Sequence, residues 1–239
     1  MVEGGPAVNV AGVRAAVVVA GVYGYFLIFA QFAFVELLRA GGAGLHSEKA
    51  MLGLMAAGGV ASGFLTAWRG ASARAIRMAL IAAAFAGAIA PFANQGGAAF
   101  LTALAAGCAL GVATVSLSAM LPCWCGVGWI GLGTGLGYAM CNFPAVFQQS
   151  PSVQAWIGAG FALLGAAAVP KAGSWPVGKP EKLIPFAAAV LVFTALVWMD
   201  SAAFFIIQHV RDLKSGTWGE GMLWRNAAIH LVFALLARL

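Results

Sequence analysis

Chemistry in this sequence is confined to a few polar side chains set inside long apolar runs, and Asp200 is the costliest of them. It lies near the middle of Leu191–Val210, LVFTALVWMDSAAFFIIQHV. A charge inside a bilayer is expensive, so an ionisable residue there marks a functional site by default. At helical spacing Asp200, Phe204 and Gln208 share one stripe, with Ser201 beside it. A carboxylate, a hydroxyl and an amide on one face suit a cavity wall that binds a cation or a proton. The competing reading is a helix–helix hydrogen bond that only pins packing.

Other polar positions are weaker candidates. Tyr25, Phe32, Glu36 and Arg39 fall on one helical stripe, and Glu36 and Arg39 at i, i+3 can pair. Glu36 either faces a central path or belongs to an interfacial ion pair. Gln31 sits deeper and, being uncharged, is cheaper to bury; it is a plausible solute contact. Tyr138 and Asn142 are one turn apart and supply donors and acceptors for an oxygen-bearing solute. Alternatively Asn142 satisfies a backbone carbonyl freed by Pro144. Gly131, Gly133, Gly135 and Gly137 are spaced for close backbone approach between helices. Arg69, Arg74 and Arg77 read as topological charges or as a gate against helix termini. His209 and His230 are taken to lie near span ends as packed polar residues. Cys123-Trp-Cys125 has the spacing of two metal ligands, but no second pair accompanies it, so neither a metal nor a cofactor is expected. Too few polar groups converge for an enzyme.

These residues need long helices to hold them. The chain has 239 residues, of which 62% are hydrophobic and 8% charged, against roughly 25% charged in soluble domains. So few charges cannot cover a water-facing surface, and the lipid bilayer is the expected partner. The formal net charge of +6 comes from lysines and arginines between apolar runs, where they set topology. They do not form an aromatic-interleaved patch, so nucleic acid is not an expected partner. At about 20 residues per span, the runs are Val13–Leu38, Ala50–Trp68, Ala75–Ala93, Ala98–Leu121, Gly126–Phe147, Val153–Pro170, Leu183–His209 and Gly221–Arg238. None shows the dyad alternation of a membrane barrel. The fold class is therefore all-α, a polytopic membrane bundle of about eight helices.

Lys171–Pro185, with three prolines and three lysines, is the longest polar interruption and suits an extended connector. It divides the chain into a six-helix bundle over 1–170, a linker over 171–185 and the start of a second bundle over 186–239. With the N-terminus in the cytoplasm, Arg69/Arg74/Arg77 and Lys171/Lys179/Lys182 both fall on the inner side. Arg211, Lys214 and Arg225 argue the other way. A faint repeat supports two halves. Ala30–Leu54 and Asp200–Arg225 each pass from small and aromatic residues into a polar helix end, a glycine loop, a glutamate (Glu48, Glu220) and a Met-Leu pair.

In this layout the chain resembles the major facilitator superfamily, in which two six-helix bundles surround a path that opens alternately to each side. Gly63-Phe-Leu65-Thr-Ala67-Trp68-Arg69-Gly70, followed by Arg74 and Arg77, is similar to that family's loop between helices two and three. Its aspartate is absent at Ala67 and the arginines are displaced, which removes the usual charge relay. Gly107 and Gly111 match the glycine spacing of the fourth helix. Gly131, Gly135 and Pro144 match the glycine-rich fifth. The resemblance implies a multi-pass cell-membrane (inner or plasma membrane) transporter of a small solute, working by alternating access with Asp200 as a proton-coupling group. Eight spans instead of twelve imply a fragment or a bundle completed by missing C-terminal helices or a partner chain. The rival expectation is a non-transporting assembly factor or subunit that uses its helices for lateral contacts.

Overall fold

In a computed structural model of the protein, residues 10–170, 206, 210–219 and 221–238 are described. Asp200, Gln208 and the connector at 171–185 lie outside the described residues. Every regular element among the described residues is helical.

The first helix, α1 (Val10–Ala40), is a 31-residue rod that changes winding midway. It is α-helical over Val10–Gly24, π-helical over Tyr25–Ala33 and α-helical again over Phe34–Ala40. At the end of the wide segment the Phe34 N–H donates to the Phe29 carbonyl, five residues back. The chain then continues through α2 (Leu45–Arg69), α3 (Ala73–Ile89, prolonged by a 3-10 turn at Ala90–Phe92) and α4 (Gly96–Trp124). Next come α5 (Val127–Cys141), the single turn α6 (Pro144–Phe147), α7 (Pro151–Ala168), the short α8 (Arg211–Trp218) and α9 (Met222–Leu236).

Local chemistry sets several of these ends. Gly70, at φ +96°, closes α2 in a conformation that a side chain would strain. Ser72 Oγ accepts the Ala75 N–H at 3.1 Å and opens α3. Ser150 accepts from Val153 and Pro151 fills the first position of α7, where its missing N–H costs nothing.

Among the described residues five helices are long and apolar enough to cross a membrane: α1, His46–Arg69 of α2, α3 with its turn, α4 and α7. The chain is a membrane protein on that footing. The fifth sequence run does not form one unbroken helix. Phe143, extended before Pro144, ends α5 at 15 residues, and the chain restarts as the single turn α6. The physical reason is steric, since proline disfavours the helical conformation of the residue before it.

The six segments from α1 to α7, leaving α6 aside, pack as two triplets with matching neighbours. α2 lies on α4, and α5 lies on α1; α3 lies on α4, and α7 lies on α1; α3 and α7 lie on each other. Exchanging α1, α2, α3 with α4, α5, α7 returns these principal contacts, although the smaller contacts of α1 with α2 and α3 have no counterpart at α4. Three passes separate α1 from α4, so the two triplets run in opposite senses. α9 packs on the outer face of α5.

In lipid the hydrocarbon chains are as apolar as leucine, so burial alone does not draw helices together; close packing does. Small residues provide it here. A Cβ on Gly107 would run into the Met55 carbonyl, and one on Gly111 into the Gly59 carbonyl. Ser62 Oγ adds a hydrogen bond across the same interface to the Cys108 carbonyl at 3.0 Å. α5 is glycine-faced on two sides. A Cβ at Gly133 or Gly137 would meet α1 at Ala16 or Tyr23, and one at Gly131 or Gly135 would meet α9 at Ala237 or Ala234. The four largest fully buried side chains of the described residues, Tyr25, Phe29, Phe34 and Leu38, sit on α1 among alanines of α3, α4 and α7.

Candidate functional site

Two of the described polar candidates, Tyr138 and Asn142, lie where α1, α5 and α9 meet. Tyr138 lies between two partners. Its ring centroid is 5.7 Å from Tyr23 of α1 and 5.1 Å from His230 of α9. Below-ideal stacking angles of 41° and 31° make these tilted contacts between half-buried rings. Asn142, one turn on from Tyr138, donates its Nδ2 to the Tyr138 carbonyl at 2.9 Å. One amide donor is thus spent inside its own helix end, which leaves its oxygen and second hydrogen for other work. Next to this point Phe143 meets Trp224 of α9 edge-on at 4.8 Å, and Phe32 meets Phe147 at 5.3 Å. Tyr23, Phe32, Tyr138 and Phe143 pack around Leu27, Ile28, Cys141 and Val146 as one small cluster. Gln31 is half-buried in the π segment, eight residues beyond Tyr23.

The single stripe expected for Tyr25, Phe32, Glu36 and Arg39 does not form. Tyr25 is buried with its ring edge against the α3 backbone near Gly87, Phe32 turns to α6, and Glu36 is exposed. The cause is the π segment, whose i→i+5 bonding takes in about one more residue per turn than an α-helix and so shifts the register of everything after it. Glu36 instead belongs to an ion cluster at the end of α1. Arg39 reaches Glu36 at 2.8 Å and grips Glu48 of α2 with two bonds of 3.0 and 3.1 Å. Glu48, which had no assigned role, is the buried member, at 8% exposure. Its place in the first turn of α2 also favours a negative charge.

At the opposite end of the bundle the three arginines separate. Arg69 and Arg74 are exposed, whereas Arg77 donates to the Val169 carbonyl at 2.6 Å and the Pro170 carbonyl at 3.3 Å. It thereby closes the carboxyl end of α7, where a cation is favoured. Gly63 packs against Val115 of α4, and Gly70 supplies the turn already described. The same end carries Arg14 and Arg238, the latter lying 4.0 Å above the Trp129 ring. The described carboxylates, Glu36, Glu48 and Asp212, are all at the other end.

Asp200 and Gln208 lie outside the described residues, so neither is placed relative to Tyr138. The reading of His230 requires correction, while His209 lies outside the described residues. His230 is not near a helix end but is the ninth of the 15 residues of α9. The signal was in the sequence, as the imidazole stands midway along an otherwise apolar stretch, AAIHLVFALL. Among the described residues no three His, Cys, Asp or Glu side chains converge as a metal set. No family model matches the sequence, and comparison with curated proteins and with solved structures finds no match.

Proposed function

We propose that the protein is a membrane carrier that moves a small solute by alternating access, in the manner of a major-facilitator transporter. The observation that carries this reading is the exchange relation between the triplets α1–α3 and α4, α5, α7, two sets of three helices of opposite sense with matching neighbours. Nested inverted repeats of three helices are the architecture of each half of such carriers. On this reading residues 10–170 are one bundle, α5 with α6 is a broken span, and α9 belongs to the second bundle. The seventh run and α9 then complete a count of eight spans.

The seam between α5 and α9 is the boundary between the moving parts, and Tyr138, Asn142 and Gln31 are the solute contacts offered by the first bundle. Asp200 is the coupling carboxylate. The end rich in unpaired arginine faces the cytoplasm, because positive loops stay inside; this puts the N-terminus in the cytoplasm of a cell or inner membrane. The test is reconstitution in vesicles loaded with a pH-sensitive dye and challenged with a panel of small organic acids, cations and sugars. Solute-dependent proton flux that Asp200→Asn abolishes, with insertion unchanged, supports the carrier.

A second reading, a membrane assembly factor or subunit, is favoured by the outer face of α2, where Val60, Phe64, Leu65 and Trp68 are exposed. Flux-free vesicles together with a stoichiometric co-purifying membrane protein would replace the carrier by this reading.

A further inference from the structure

The carrier reading gives His230 no role. His230 sits mid-helix in α9 between Ile229 and Leu231, which are exposed on the outside of the bundle. Its own ring is half-buried in the seam, 5.1 Å from that of Tyr138. Ionisable residues inside apolar helices mark proton and ion paths, and histidine is the side chain that changes charge between pH 5 and 8. Among the described residues the groups around it are few. α5 contributes Tyr138 and Cys141 as its titratable residues and carries no charged side chain. α1 contributes Tyr23 behind Tyr138. The described charges on its own helix and on α8 are Arg225, five residues earlier, and Asp212. Among the described residues no carboxylate is ion-paired with the imidazole.

We propose that His230 is a proton-binding site in the α5–α9 seam and that its charge governs how closely α9 sits on α5. Neutral, the ring rests on Tyr138 and allows Ala234 and Ala237 to close on Gly135 and Gly131. Protonated, it gains some attraction to the tyrosine face but loses part of its hydration in the half-buried seam. Among the described residues no anion pairs with it, and desolvating an unpaired cation is the larger effect, so water is drawn in and the seam loosens. No solute takes part, so the inference stands apart from the carrier reading.

The experiment uses the full chain, ¹³C-labelled at histidine, in lipid nanodiscs. The His230 ring signal is identified by its loss in His230→Gln or, should that variant fail to fold, by elimination with His46→Gln and His209→Gln. The signal is expected to titrate between pH 5 and 8, and Tyr138→Leu should move its midpoint to lower pH by removing the aromatic face. Backbone amides of α9, corrected for intrinsic pH dependence, should exchange severalfold faster at the acid end, and His230→Gln should abolish that rise. A ring that holds one protonation state throughout, equal protection of α9 at both extremes, or a rise that persists in His230→Gln would each overturn the proposal.

Discussion

Two interfaces in this bundle use the same device and put it to different ends. Between α2 and α4, glycines on both sides bring the backbones together and Ser62 fastens them to the Cys108 carbonyl. Between α5 and α9, glycines lie on one side, alanines on the other, and an imidazole stacks on a phenol in the gap. The first contact is symmetrical in its smallness and holds no ionisable group other than the Cys108 thiol. The second holds an ionisable group and has one helix, α9, that touches the bundle mainly through Leu223, Ala227, His230 and Ala234. Small residues alone therefore do not distinguish a frame from a joint. What distinguishes them is whether anything in the gap can change its charge or its partners.

The contrast can be tested by substitution. Gly107→Leu should do the most damage, because its side chain would have to displace the α2 backbone at Met55. A loss of about 3 kcal/mol, the upper range for overpacking, should appear as a large drop in unfolding temperature in nanodiscs. Gly135→Leu at the seam should cost less, about 1–2 kcal/mol, because α9 is free to withdraw. Hydrogen exchange should then rise in α9 while the amides of α1 stay protected. If Gly135→Leu destabilises the whole bundle as much as Gly107→Leu, the seam is part of the frame.

Arg77→Gln comes next, expected to cost about 1 kcal/mol by removing the cation from the carboxyl end of α7. Faster exchange in the last turn of α7, without change in the seam, would place this contact with the frame. The smallest effect is expected for Ser62→Ala, near 0.6 kcal/mol, the average for a hydrogen bond between membrane helices. A much larger value, read from the same thermal unfolding, would mean that the hydrogen bond and not the glycine packing holds α2 in place.

How much of this was legible beforehand depends on the kind of signal. The first four apolar runs and the sixth became helices near their expected limits because length and composition settle that question in a membrane. The glycines of α5 could be assigned to packing, since a side chain of one hydrogen has little else to do in a helix. The stop at Pro144 was foreseeable in kind, although the unbroken run Gly126–Phe147 hid it. The winding of α1 was not legible, because nothing in YFLIFAQFA distinguishes an i→i+5 from an i→i+4 pattern. The register of Phe32 and Glu36 was lost with it. Arg39 was paired correctly with Glu36, but Glu48 comes from the next helix, and only folding brings it close. His230 was open to reading by position and was misjudged. Tyr23 was invisible as a partner until α1 and α5 were placed side by side.

The loosely wound middle of α1 has a mechanical consequence. Below it, Gly21 and Gly24 are wedged against Phe161 and Gly165 with no play; above it, Arg39 ties the rod to its neighbour through Glu48. Between those two fixed points Tyr25–Ala33 carries Tyr25 and Phe29, both fully buried, so the change of winding is locked by its own packing and sets the angle at which the upper part of the rod leaves the lower.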